Sequence, residues 1–162
     1  MDNEHSFHFK QFSILWNKAS MKLSTDAVLL GSWMPNRASL ALDIGTGCGV
    51  LALMLAQKTT ATIDAVDIDA NAVAVARENI LHSSWANRIK VYHSNIKEYV
   101  STEKKYDVIV SNPPFFHLSM PAKDAGVLNA KHTVNLCLDD LFKSVAELMH
   151  PDGLFCMVFP YN

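Results

Sequence analysis

The sequence predicts an α/β protein built on a doubly wound, mainly parallel sheet. Three observations carry that prediction. Short apolar runs alternate with helical patterns along most of the chain, which is the order of βαβ units. A glycine-rich segment, Gly45-Thr46-Gly47-Cys48-Gly49, joins the first of the buried-looking runs to a helix. A later run, Tyr106 to Val110, stops at Ser111-Asn112-Pro113-Pro114-Phe115. In open sheets of this kind, ligands bind outside the carboxyl ends of the strands, where both segments fall.

The elements follow in order. Residues 7–14 alternate apolar and polar at first, then loosely, which suits a short strand or a hairpin arm. Thr25-Asp26 offers an N-cap for a helix from Ala27 to about Met34, stopped by Pro35. Residues 1–36 therefore read as an amino-terminal appendage, and 37–162 as the main domain. That domain opens with a strand at Leu40–Ile44 and a helix from Val50 to about Gln57. A second strand spans Thr62 to Val66 and ends at Asp67-Ile68-Asp69. Asp69 suits the cap of a helix from Ala70 to about His82. Ile89 to Tyr92 is a third strand and Asp107 to Val110 a fourth, with a long loop over 112–138. Asp139-Asp140 opens a helix to about Met149. Pro151-Asp152-Gly153 reads as a turn and Leu154 to Phe159 as a fifth strand. Right-handed crossovers then give a layered sandwich.

Composition narrows the class. A chain of 162 residues suits one domain with a real core. Apolar residues are 49% and charged residues 19%, ordinary values for a globular protein. The net charge of −2 does not call for a polyanion, so any nucleic-acid contact must come from a local basic patch. Cys48, Cys137 and Cys156 are odd in number and lack metal-ligand spacing. They read as reduced thiols of a cytoplasmic protein, with no metal site. The polar, acidic start reads as lacking a signal peptide. No apolar stretch reaches membrane-spanning length, so no membrane partner is expected.

The glycine loop reads D-x-G-x-G-x-G over Asp43 to Gly49. Glycines permit positive φ and a close backbone approach to a ligand. A dinucleotide fingerprint would place glycine or alanine at position 50, where this chain has Val50. The spacing suits a cofactor without a pyrophosphate. Asp43, Gly45, Thr46, Gly47 and Gly49 are its candidate residues, with Asp43 equally readable as a turn or helix-start partner. Asp67, beside Ile68 at the end of the second strand, suits a ribose, since a carboxylate there can accept from both hydroxyls. Two prolines end the fourth strand abruptly. They leave the Asn112 amide at its carboxyl end with Phe115 just beyond. That pair suits a planar substrate bearing an NH2 group.

With these motifs in this order, the chain resembles the class I S-adenosylmethionine-dependent methyltransferases, which have a Rossmann-like fold. Asn112-Pro113-Pro114-Phe115 resembles the amino-methylating branch. That branch includes N6-adenine enzymes, N2-guanine RNA enzymes and protein-glutamine N5-methyltransferases. Phe9 to Ile14 and Met21 to Trp33 resemble the bacterial family that methylates adenine N6 in tRNA1(Val). So do Ile63 to Asp67, Tyr106 to Phe116 and Phe155 to Val158. The resemblance implies S-adenosyl-L-methionine as cofactor, S-adenosyl-L-homocysteine as product and a tRNA anticodon-loop adenine as substrate. It implies Asn112, Pro113 and Phe115 as catalytic residues, with Asn112 also bordering the cofactor. The Asn112 side-chain oxygen and the Pro113 carbonyl would accept the amine N–H groups, and Phe115 would stack on the base. Pro114, Phe116, Lys22 and Lys131 join Phe115 as candidate substrate contacts. Lys10, Lys18 and Lys123 extend a possible basic rim, and ordinary solvated lysines explain them equally well. Many relatives carry an Asp after the third strand, against the cofactor adenine; here that place is Asn95, whose oxygen can accept the same bond.

Class I enzymes usually continue past the fifth strand with a helix and two antiparallel strands. This sequence stops at Asn162, so the sheet is expected to lack the last two strands. An exposed edge would then favour pairing with another molecule, and a monomer or a weak dimer is expected. Three alternatives stay open on the motifs: N2-guanine methylation, glutamine methylation, and a non-catalytic RNA- or protein-binding module retaining the fold. Val50 argues against a nicotinamide-dependent reductase.

Overall fold

The structure is a computed structural model that describes residues 5–16, 23–99, 104–113 and 138–159. Lys18, Lys22, Pro114, Phe115, Phe116, Lys123 and Lys131 lie outside the described residues.

The chain opens with an antiparallel hairpin, β1 (His5–His8) and β2 (Ser13–Trp16), with His5 opposite Trp16. Helix α1 spans Thr25–Trp33. Its N-cap is Ser24, one residue before the expected Thr25-Asp26: Ser24 is extended and its hydroxyl accepts the Ala27 N–H at 3.1 Å. Three capping-type residues stand in a row, and the backbone geometry selects the first. The sheet strands are β3 (Leu40–Ile44), β4 (Thr62–Asp67), β5 (Ile89–His93), β6 (Tyr106–Ser111) and β7 (Met149–Met157). Helices α2 (Val50–Lys58), α3 (Ala70–Leu81) and α4 (Leu138–Leu148) connect them. Asp69 caps α3 as expected, accepting the Asn71 N–H at 2.9 Å.

The five strands run parallel in the order β5-β4-β3-β6-β7. The order reverses between β3 and β6, and that switch point opens a crevice at their carboxyl ends. Ser111 Oγ donates to the Ile44 carbonyl at 2.9 Å and holds the two strand ends level.

One expected turn is part of a strand. Pro151-Asp152-Gly153 lies inside β7. Between the Tyr106–Met149 and Val108–Leu154 pairs, β7 advances five residues while β6 advances two. The surplus bulges out, which suits Pro151, since it has no N–H for the ladder. Gly153 is required there: a Cβ would lie 2.9 Å from the carbonyl oxygens of His150 and Tyr106.

Alternation along the strands supplies two cores. Ala41, Ile63, Ala65, Val108 and Val110 face one side, packed with α1, α2 and the hairpin residues Phe12 and Ile14. Leu42, Ile44, Val66 and Ile109 face the other, packed with Leu141, Val145 and Leu148 of α4. Helix α2 is buried from Val50 through Ala56, which explains its nearly continuous apolar sequence. Helix α1 has only nine residues, too few to be stable alone. Ala27, Leu30 and Met34 anchor it in the first core.

Asp64, in the middle of β4, is fully buried on the α4 side. Its Oδ2 accepts from Tyr106 Oη at 2.7 Å, Lys104 Nζ at 2.8 Å and Tyr99 Oη at 3.2 Å. These bonds repay a desolvation that would otherwise be severe. They also tie the segment entering β6 to β4.

Candidate active site

The glycine loop is built from left-handed backbone. Gly45, Gly47 and Gly49 have φ of 72°, 56° and 85°. Gly45 and Thr46 donate their N–H groups to the Val66 carbonyl at 2.8 and 3.1 Å, which folds the loop over the end of β4. Gly49 donates to the Thr46 carbonyl at 2.8 Å and stands as the N-cap of α2. A Cβ on Gly45 would meet nothing within 4 Å among the described residues, so the backbone there borders open space.

Asp43 lies buried beneath the loop. Its Oδ2 accepts from Thr46 Oγ1 at 2.6 Å and from the Ala52 N–H at 3.1 Å. The carboxylate thus clamps the loop to the first turn of α2, the turn-partner role that the sequence also allowed. Burial pushes its pKa up to about 7, against the lowering effect of those two bonds and with a small push from Asp67.

Asp67 reaches back to the loop. Its Oδ2 accepts the Gly47 N–H at 2.8 Å and its Oδ1 the Asp69 N–H at 2.9 Å. Burial raises its pKa, and the Asp69 and Gly47 bonds oppose that rise. Ile68, beside it, is exposed. Asn95 Oδ1 accepts the Lys97 N–H at 3.0 Å and starts the turn after β5. That side-chain oxygen is therefore already engaged by the chain.

Asn112 and Pro113 follow β6 directly. Asn112 Nδ2 donates to Ser24 Oγ at 3.3 Å. Its Oδ1 is buried and has no hydrogen-bond partner among the described residues. A pocket lies between Ser24, Gly45, Thr46, Gly47 and Asn112, with Val50 on its apolar wall. The fold thus brings the glycine loop and Asn112 to one pocket, with Asp67 one hydrogen bond behind Gly47. Thr25 and Asp26 are not on its lining; Ser24 is.

Two residues of this region escape sequence reading. Ser24 was masked by its neighbours Thr25 and Asp26. Asn79 lies buried in α3. Its amide accepts the Leu15 N–H at 2.8 Å, donates to the Leu15 carbonyl at 2.9 Å and donates to the Cys48 carbonyl at 2.8 Å. It pins the hairpin to the glycine loop. The available signal was its place on the apolar stripe of Ala72, Val73, Ala76 and Ile80.

No group of three or more His, Cys, Asp or Glu side chains suited to a metal ion occurs among the described residues. No described helix is long and apolar enough to cross a membrane.

The fold and its loop define a class, the S-adenosylmethionine-dependent methyltransferases. A methyltransferase of that class from Geobacter sulfurreducens, solved in complex with S-adenosyl-L-homocysteine, aligns with a TM-score of 0.59 at 18% identity, over 83% of this chain and 47% of that one. One from Thiobacillus denitrificans, also with S-adenosyl-L-homocysteine, aligns at 0.58 and 19% identity, over 83% and 48%. The methyltransferase small domain matches residues 19–159. Among curated relatives, the tRNA1(Val) (adenine(37)-N6)-methyltransferase of Parabacteroides distasonis is 46% identical over 158 residues, which is 96% of this chain and 67% of the relative. The protein of the same name from Serratia proteamaculans is 43% identical over 160 residues, covering 96% and 62%. The chain spans about two thirds of the length of these relatives. It belongs to the tRNA1(Val) (adenine(37)-N6)-methyltransferase family, within the methyltransferase small domain family.

Proposed function

We propose that this protein transfers a methyl group from S-adenosyl-L-methionine to the N6 amine of adenine 37 in tRNA1(Val), the reaction named for its relatives. The observation that carries the reading is Asn112, which lines one pocket with the glycine loop at the switch point and whose buried Oδ1 has no hydrogen-bond partner among the described residues. An unpaired buried acceptor costs about 1–3 kcal/mol. A substrate amine would supply the missing donor.

The residues fit the cofactor. Open space beside Gly45 admits a ligand against the backbone, and the loop has no pyrophosphate spacing. Gly47, Gly49 and Thr46 shape that surface, and Asp43 holds it in place. Asp67 retains lone pairs for ribose hydroxyls beyond the two N–H bonds it already accepts. Ile68 and Asn95 flank the position assigned to the cofactor's adenine. When bound, S-adenosyl-L-methionine supplies an electrophilic methyl on a sulfonium.

The chain's own work is positioning. An exocyclic amine is a weak nucleophile because its lone pair spreads into the ring. Asn112 Oδ1 and the Pro113 carbonyl each accept one N–H, which favours a tetrahedral nitrogen with its lone pair free. No strong base is needed, since the proton leaves after the nitrogen has become positive. Catalysis then rests on orientation and fixed dipoles. Phe115, Phe116 and Pro114 are assigned to hold the base, and Lys22 and Lys131 to contact phosphates. Stacking of the base contributes on the order of 1–3 kcal/mol. The protein is proposed to act in the cytoplasm, as a monomer or weak dimer.

Incubation with methyl-labelled S-adenosylmethionine and unmodified tRNA1(Val), followed by digestion to nucleosides, tests the reading. Labelled N6-methyladenosine is expected. Labelled N2-methylguanosine, or label in protein alone, overturns it in favour of the guanine or glutamine branch.

A further inference from the structure

We infer that Asn79 is a positioning residue of the cofactor loop, through which docking of the amino-terminal hairpin and binding of the cofactor are coupled. The inference rests on the assignment of the glycine loop to S-adenosylmethionine.

Glycines at 45, 47 and 49 give the loop its shape, and the same freedom lets it leave that shape. Its conformation therefore depends on bonds from outside. Asp67 holds the Gly47 N–H, and Asp43 holds the Thr46 hydroxyl. The peptide between Cys48 and Gly49 is held at both ends. Its N–H, on Gly49, donates to the Thr46 carbonyl at 2.8 Å. Its carbonyl, on Cys48, accepts from Asn79 Nδ2 at 2.8 Å. Cys48 lines the same pocket as Gly45, Gly47 and Asn112, so a turned peptide there would change the pocket wall.

The other two bonds of Asn79 go to the hairpin. Oδ1 accepts the Leu15 N–H at 2.8 Å, and Nδ2 donates to the Leu15 carbonyl at 2.9 Å. All three partners are backbone groups. An N–H can only donate and a carbonyl can only accept, so the setting of this amide is unambiguous. Leu15 stands opposite Ser6, and the Phe9 N–H donates to the Phe12 carbonyl at the turn. Bonded and non-bonded pairs alternate from that turn, which makes Ser6–Leu15 a non-bonded pair whose N–H and C=O groups point away from the partner strand. The Asn79 amide takes up that outer edge of β2 as a neighbouring strand would. A two-stranded hairpin is marginal by itself. β1 and β2 therefore hold their place by docking, with Phe12 and Ile14 in the core and Leu15 on Asn79. One buried amide thus ties a marginal element to a permissive loop. What orders one orders the other, and by linkage the effect on binding runs equally in both directions.

Asn79→Ala removes the tie. The dissociation constant for S-adenosylmethionine, by titration calorimetry on folded protein, should rise roughly tenfold. Lost stability alone should not produce that rise. Tyr106→Phe, in the cluster on the α4 side of the sheet, is the control that loses stability and keeps its affinity. A reciprocal measurement starts from the wild type. Saturation with S-adenosyl-L-homocysteine should slow hydrogen exchange at the Leu15 N–H several-fold, and the slowing should vanish in Asn79→Ala. Unchanged exchange at Leu15 in the wild type overturns the inference, and so does equal slowing in both proteins. If Gly45→Ala weakens cofactor binding and Asn79→Ala does not, the loop holds the cofactor and the coupling alone fails. If neither substitution weakens binding, the glycine loop is not the cofactor site and the functional reading fails with it.

Discussion

Asp67 Oδ2 accepts the Gly47 N–H at 2.8 Å, so the acid at the end of β4 and the loop at the end of β3 are joined by one hydrogen bond. The other oxygen accepts the Asp69 N–H at 2.9 Å. Both ends of the carboxylate are therefore set before any ligand arrives, and the loop is held over the space that a ligand would fill. Such preorganisation spares the binding step part of its ordering cost.

An asparagine has one acceptor oxygen where aspartate has two. In Asp67→Asn, one of the two backbone N–H groups loses its partner, at about 1–3 kcal/mol. The cofactor dissociation constant should rise roughly tenfold or more by titration calorimetry. Unchanged affinity would remove Asp67 from the cofactor site.

Gly45 and Gly49 should fail in different ways. Each has positive φ, so an alanine costs about 1–2 kcal/mol of strain at either. At Gly49 the added Cβ meets the Ala76 Cβ in α3 at 3.4 Å, an ordinary contact distance, so the strain alone should appear in the urea midpoint. At Gly45 it meets no atom of the described residues within 4 Å and projects into open space. Gly45→Ala should therefore lose more cofactor affinity than Gly49→Ala, while Gly49→Ala loses at least as much stability.

Asp43 predicts a pH dependence. Burial raises its folded pKa to about 7, whereas the unfolded group titrates near the ordinary carboxylate value of about 4. The folded state therefore binds the proton more tightly. The stability contributed by that protonated carboxyl is complete below pH 4 and is lost as pH climbs to about 7. Asp43→Asn has no such proton, and its ligand-free stability should fall less between pH 4.5 and pH 7 (approximate bounds of the same window). Urea denaturation across that window checks the slope, and a steeper fall in the variant would refute the assignment.

The Asp64 cluster should matter for stability alone. Tyr106→Phe deletes the 2.7 Å bond to a buried carboxylate and should cost about 1.5–3 kcal/mol. Lys104→Met leaves that carboxylate without its cation, and Asp64→Asn should recover part of the loss. Denaturation of the single and double variants measures the coupling. Cofactor affinity should not move, since the cluster faces α4 rather than the glycine loop.

Asn112→Ala should lower methyl transfer by about a hundredfold or more and leave cofactor affinity within a few-fold. Equal loss of both would make the residue a structural one.

Much of this architecture is legible along the chain because its causes are local. Apolar runs and capping residues mark β3 to β6 and α2 to α4 within a residue or two. Glycine spacing marks a loop that only positive φ can form. Two prolines mark the end of β6. Each signal lies within a few residues of the feature it produces.

What the tertiary structure alone decided involves partners distant in sequence. Ser24 and Asn112 meet from 88 residues apart, Asn79 and Leu15 from 64, and Lys104 and Asp64 from 40. No periodicity records such pairs. Asp64 read as one polar residue in a strand until Tyr99, Tyr106 and Lys104 closed around it. Pro151 to Gly153 read as a turn, yet pairing with β6 drew them into β7 as a bulge. The sequence by itself determined the layered sheet, the glycine loop and the amide at the strand end, because these follow from backbone sterics and hydrophobic spacing. Only the folded chain decided that Ser24 at the start of α1 stands against Asn112 at the end of β6, because that contact joins residues 88 apart in sequence.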